Sequence, residues 1–331
     1  MFIPATFAVA LLMTILSTIC WGSFANTFKV TRNYRFDLYY WDYAVGIFVT
    51  ALALAFTMGS AWGGTTSFLP NVRSAAASSL LLAAVGGFIF NIANFLLLAG
   101  IEIVGLAVAF PISIGIALVE GVSLSYLVDP KGNPLLLGAG VAMAVIAIIL
   151  IGRAYGALGS AGRTVSRRGV VICVVSGVLM GTFAPFVTRS MTAARPLTPY
   201  AVAVLFTLGA LLCCLVFNSV LMKKPLVGVP AGLADYRRAP GSYHLLGLAG
   251  GAIWSLGTVF NFVAASFVGV AISYAIGQAS PMIAALWGVA VWGEFRGASA
   301  KAKLYLAGMF MCYCVALVLI AMAYAFQPRS H

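Results

Sequence analysis

Glu120 is the one acidic residue set deep inside an apolar run, with Val119 and Gly121 on either side of it. An ionised carboxylate in such surroundings is costly, so the group faces a wet cavity, meets a partner or takes up a proton. Glu120 is therefore the candidate for proton exchange. The plainer alternatives are a structural hydrogen bond or a reach toward the outer interface near Asp129. Asn91 and Asn94 lie three apart with Gly87 on the same side, so on a helix they point one way. Two such amides could bind a solute rich in carbonyls or hydroxyls, or could join neighbouring helices. Trp254, Ser255, Thr258 and Asn261 form a second stripe, in which an aromatic plate beside polar groups suits a flat ring or the apolar face of a sugar. Tryptophan also serves as an interfacial anchor. Tyr274 and Gln278 are four apart with Pro281 next on that face, and a proline can break the helix and free carbonyls. Pro111 and Pro185 are placed to do the same, and Trp21 and Asn26 complete the expected lining.

Other chemistries find no support. No Ser/His/Asp or Cys/His set stands at catalytic spacing, which argues against an enzyme. Cys20, Cys173, Cys213, Cys214, Cys312 and Cys314 all lie in apolar runs and read as packing thiols, with no metal and no disulfide expected. Arg32, Arg35, Asp37 and Asp42 read as a solvated loop network, and His244 as structural. No cofactor is expected.

The elements that must position these residues are membrane spans. The chain of 331 residues is 63% hydrophobic and only 8% charged, with net charge +12 and mean hydropathy +1.06. A soluble domain carries about 25% charged residues, so lipid is the solvent here. The basic residues are scattered between apolar runs, which argues against nucleic acid. Runs long enough to cross a bilayer fall at roughly 5–28, 41–61, 75–100, 103–127, 134–152, 170–189, 199–222, 244–266, 268–292 and 303–325. The first lacks the basic start of a signal peptide and should remain as a span. Connections near Ile101–Glu102 and Ser266–Phe267 are short enough to force antiparallel hairpins. Arg153–Arg168 and Lys223–Ser242 read as linkers. Arg73, Lys131, Arg189, Arg195 and Arg329 fall on one side of the membrane. The larger basic clusters within 29–35, 153–168, 223–238 and 296–303 fall on the other, which should be cytoplasmic. Both termini then lie outside.

An internal repeat is visible. Trp21-Gly22-Ser23-Phe24-Ala25-Asn26 matches Met180-Gly181-Thr182-Phe183-Ala184-Pro185. Val104-Gly105-Leu106-Ala107 matches Val268-Gly269-Val270-Ala271, and Gly86-Gly87 answers Gly250-Gly251. A five-helix unit repeated once has opposite topology in its two copies, a recurring transporter design. The expected fold is thus an all-α polytopic membrane protein, with ten transmembrane helices in two inverted five-helix repeats around a central cavity. The first repeat spans 1–153, a cytoplasmic linker 154–169 and the second repeat 170–331.

Several segments resemble the drug/metabolite transporter superfamily, and most closely its ureide permease branch, near the bacterial glucose/ribose and rhamnose porters. They are Cys20-Trp21-Gly22 with Trp41-Asp42-Tyr43, Gly105-Leu106-Ala107-Val108, Tyr126-Leu127-Val128-Asp129 before Lys131, and Trp287-Gly288-Val289-Ala290-Val291-Trp292-Gly293-Glu294-Phe295-Arg296. The resemblance implies a ten-helix basket with alternating access in the inner membrane, and substrates such as allantoin or uracil, or monosaccharides in the neighbouring branch. Protons are a candidate coupling ion. The family's fourth span carries an early acidic residue where this chain has Phe110. Gly156–Thr164 lacks the spacing, the lysine and the preceding strand of a phosphate-binding loop. An exporter, a receptor that binds without moving its solute, and an intramembrane enzyme remain as alternatives.

Overall fold

The computed structural model describes residues 1–31, 34–61, 63–158, 166–225 and 229–326, with the backbone alone at 106 and 107. Arg32, Arg163, Arg329 and most of the Gly156–Thr164 stretch lie outside them. Most of the described residues are helical, and ten helical stretches among them are long and apolar enough to span a bilayer. The chain is a multi-pass membrane protein.

In chain order the helices are α1 (Phe7–Ser23), α2 (Ala25–Val30), α3 (Phe36–Phe56), α4 (Phe68–Ser74), α5 (Ala77–Val104), α6 (Leu106–Val128), α7 (Pro134–Gly156) and α8 (Arg167–Thr192). Then follow α9 (Pro199–Cys213), a π-turn at Cys214–Asn218, α10 (Ser219–Lys223), α11 (Leu233–Arg237), α12 (Gly241–Val268), α13 (Val270–Gly277), α14 (Ser280–Ala290) and α15 (Ala300–Ala325). Local sequence sets several boundaries. Thr6 caps α1 and Ser299 caps α15 by accepting a first-turn N–H. Asn133 does so for α7, with Pro134 following it.

The spans fall where hydropathy places them, with shifted ends. The second begins at Phe36, not near 41, because Asp37 serves its first turn and Asp42 is buried inside it. The connections expected at 101–102 and 266–267 are instead continuous helix. Each hairpin turns on a single residue further on, Gly105 (φ 82°) and Gly269 (φ 88°). Side chains rarely adopt that conformation, whereas glycine does so without strain. The stretch read as a linker at 223–242 holds α11 and the start of α12.

The chain divides into two compact units. The first comprises Met1–Ile92 and Phe186–Phe267; the second comprises Ala93–Pro185 and Val268–His331. Each draws on both halves of the sequence.

Within the first unit, glycines bring helix backbones together. A Cβ at Gly87 of α5 would collide with the Phe206 carbonyl of α9, and one at Gly209 of α9 with the Ala84 carbonyl of α5. Gly46 of α3 and Gly251 of α12 are matched in the same reciprocal way, against Leu248 and Tyr43. In lipid, close packing of this kind replaces the hydrophobic drive for association. The second unit packs α7 on α15 through Gly140, Ala144, Ala147, Ala316 and Ile320. It also packs α8 on α6, where Ser113 Oγ donates to the Cys173 carbonyl at 2.8 Å.

Candidate functional site

Each unit gathers part of the expected lining. In the first, Trp254, Thr258 and Asn261 share one face of α12, as their spacing requires. Trp21, at the end of α1, stacks on Trp254 with ring centroids 6.2 Å apart and 22° between planes. Phe90 of α5 stacks on Trp254 at 5.1 Å and 30°, and Phe206 continues the row at 5.5 Å from Phe90. Trp21 Nε1 donates to Thr258 Oγ1 at 3.1 Å, and that hydroxyl donates to the Trp254 carbonyl at 3.1 Å. The indole N–H and the threonine are thus committed to each other, and the row offers ring surface.

Asn91 is buried, with its carbonyl oxygen accepting from the Tyr40 hydroxyl, so it joins α5 to α3. Among the described residues, Ser255 Oγ and Ser17 Oγ are buried polar atoms without a hydrogen-bond partner. Such orphans are few in native proteins. Asn26 sits just after the break between α1 and α2, its Nδ2 donating to the Ser23 carbonyl at 2.8 Å. Asn261 is almost fully buried on α12.

In the second unit, Glu120 of α6 is half-buried, and its Oε1 accepts from Thr182 Oγ1 of α8 at 3.0 Å. Gly181 makes room, since a Cβ there would stand 2.8 Å from the Glu120 Cβ. The same threonine oxygen lies 2.7 Å from the Val178 carbonyl. A hydroxyl has one proton and here faces two acceptors. With Glu120 ionised, Thr182 turns that proton to the carboxylate. With Glu120 protonated, the acid donates to Oγ1 and Thr182 donates to Val178.

Tyr274 is buried one step away. Its ring edge lies against Gly121, its hydroxyl donates to the Ala117 carbonyl at 3.4 Å, and Phe183 packs edge-on at 5.5 Å. Gln278 closes α13 at the break that precedes Pro281, in the first turn of α14. That is the break proline implies. Pro111 and Pro185 lie inside α6 and α8, which continue through them. Asn94 is half-buried on α5.

Two groups hold roles that the sequence did not assign to them. Thr182 is one, although Gly181-Thr182 lies within the repeated motif. The other is Asp42, which is 7% exposed and no part of a solvated loop network. Its Oδ1 accepts from the Tyr236 hydroxyl at 2.6 Å and its Oδ2 lies 2.7 Å from His244 Nδ1. Burial first, then the hydrogen bond and charge of Asp42, pushes the Tyr236 phenol upward, so it stays a donor. Glu294, in the segment 287–296 and just beyond α14, is also built in: its Oε2 accepts from the Tyr155 hydroxyl at 3.0 Å within the second unit, in space left by Gly288.

The sequence profile of ureide permeases matches residues 39–158 and 156–323. The chain belongs to the ureide permease family. Ureide permease 4 of Arabidopsis thaliana is 23% identical to this family member, over 98% of each chain. Ureide permease 1 of the same plant is 20% identical, over 85% of this chain and 87% of that one. Ureide permease 2, also from that plant, is 23% identical over 85% and 88%. One protein of known crystal structure shares the fold at a TM-score of 0.63 and 18% identity, covering 95% of this chain and 99% of the other. The relatives are named permeases, and this chain is a membrane transport protein, not an enzyme.

Proposed function

We propose that this permease carries a small neutral polar metabolite of ureide or nucleobase type, such as allantoin or uracil, across the inner membrane by alternating access. Protons drive it through Glu120. The observation that carries the substrate class is the Trp21–Trp254–Phe90 row. Flat, hydrogen-bonding rings stack on such surfaces. Asn91 and Ser255 adjoin that row in sequence, and among the described residues Ser255 Oγ is buried without a partner. Glu120 with Thr182 supplies a proton acceptor whose neighbour changes bonding with its charge. Tyr274 and Gln278 serve the second unit at the α13–α14 break, with Asn94 on α5. In the first unit Asn26, Thr258 and Asn261 complete the lining.

The repeat reading belongs to the same proposal: residues 1–153 and 170–331 are inverted copies joined by the cytoplasmic linker 154–169, with both termini outside. It is supported by the shared conformation of Gly105 and Gly269 and by Gly87 and Gly251 serving equivalent close crossings.

The test is uptake of labelled allantoin into proteoliposomes, with uracil, glucose and ribose as competitors, with and without an imposed proton gradient. Allantoin flux inhibited by uracil and stimulated by an inward proton gradient is expected. Flux of the sugars instead would make this a sugar porter, and binding without flux a receptor.

A further inference from the structure

The ninth span is held unequally along its length. Every residue of α13 is buried, whereas α14 buries only Pro281, Ala285 and Gly288. Those three recur at spacings of four and three, so they form the one face that α14 turns toward its neighbours. Their side chains are small, and parting that face from the rest of the second unit uncovers little apolar area. Leu286, Trp287 and Val289, on the remaining surface of α14, are exposed.

Packing beneath α14 is also incomplete. An apolar gap of about 50 Å³ lies between Phe110 of α6, Ile151 and Tyr155 of α7, and Pro281 and Ala285 of α14. Protein interiors hold few voids larger than a water molecule. At its near end α14 joins α13 across 277–280, where Pro281 has no N–H to return to the Gly277 carbonyl. Just past its far end, Glu294 takes the Tyr155 hydroxyl at 3.0 Å, and Phe295 packs on the Tyr155 ring at 5.5 Å. The Glu294 N–H donates to the Gly288 carbonyl at 2.9 Å, so this carboxylate is tied to α14 and travels with it. A Cβ at Gly288 would collide with Oε2, so the glycine keeps the carboxylate's seat open.

We propose that α14 is a gate of the transporter, swinging as a rigid piece on the 277–280 break and latched onto α7 by the Tyr155–Glu294 hydrogen bond. The buried α13 is its fixed base. A weakly packed face with a directional bond at its tip gives two positions of similar free energy, as a two-state element requires. Swinging breaks no hydrogen bond within α14, because the break lies before its first turn. The gate needs only that the chain is a transport protein, and rests on neither the solute nor the driving ion proposed above.

The test is the distance between paired spin labels on the full chain in nanodiscs, in a cysteine-free background. Leu286→Cys with Leu135→Cys reports α14 against α7, and Leu304→Cys with Leu135→Cys reports the α15–α7 pair as a control. All three positions are exposed, so the labels displace no packing. Tyr155→Phe and Glu294→Ala should each raise the ratio of long to short distances in the first pair about tenfold. Glu294→Gln, which still accepts from Tyr155, should stay near the unaltered ratio, and the control pair should not change in any variant. An unaltered distance distribution for the first pair in both Tyr155→Phe and Glu294→Ala would overturn the latch. Equal broadening of the control pair would overturn the gate, since the whole unit would then have loosened.

Discussion

At the scale of single residues, the chemistry rests on side chains that are already partnered, and the partners decide what substitution does. Thr258 takes the Trp21 N–H, so Thr258→Val leaves a part-buried indole donor unpaired. The cost should be about 1–3 kcal/mol, read as a lowered unfolding midpoint. Trp254→Ala removes the middle ring of the row and should raise the KM for allantoin uptake by roughly tenfold, while Trp254→Phe keeps most of the affinity. Glu120→Gln should abolish the response of uptake to an imposed proton gradient but leave counterflow intact. Glu120 could be read from its apolar neighbours because its oddity is local. Asp42 could not: Tyr236 and His244 lie 194 and 202 positions away, and only the fold brings them to it. Thr182 was hidden for the same reason, 62 positions from the acid it serves.

At the scale of elements, hydropathy located all ten spans because each backbone group must find its bond inside a helix. It could not find their ends, since polar residues such as Asp37 serve first turns and apolar runs continue to a turning glycine. Gly86-Gly87 and Gly250-Gly251 were visible as a repeat, but which carbonyl each glycine admits depends on a helix distant in sequence. Gly87→Ala and Gly209→Ala should each lower stability by about 1–3 kcal/mol, because the added methyl meets backbone that cannot rotate away. Thermal melting in detergent measures this. Gly105→Ala meets open space but must adopt φ 82° and ψ 159°, so its cost of about 1–3 kcal/mol is conformational alone. The break at Gly277–Ser280 was legible from Pro281, whereas Pro111 and Pro185 leave their helices unbroken. Proline spacing therefore suggested more interruption than occurs.

At the scale of the whole molecule, membership in a permease family follows from the matched chain, and the direction and energetics of transport are what the proposal adds. The distribution of Lys and Arg predicts that a cysteine introduced at Arg238 reacts with an impermeant reagent from the cytoplasmic side only, and one at Arg73 from the outside only. Labelling in a cysteine-free background checks this, and the reverse pattern would invert the assigned orientation. The most direct test of a carrier for ureides is entrance counterflow. Proteoliposomes loaded with unlabelled allantoin and diluted into a trace of labelled allantoin should show a transient internal accumulation of label. The overshoot should be absent from protein-free vesicles and diminished in Trp254→Ala. Label that rises monotonically to equilibrium at the same rate in protein-free vesicles would contradict the account.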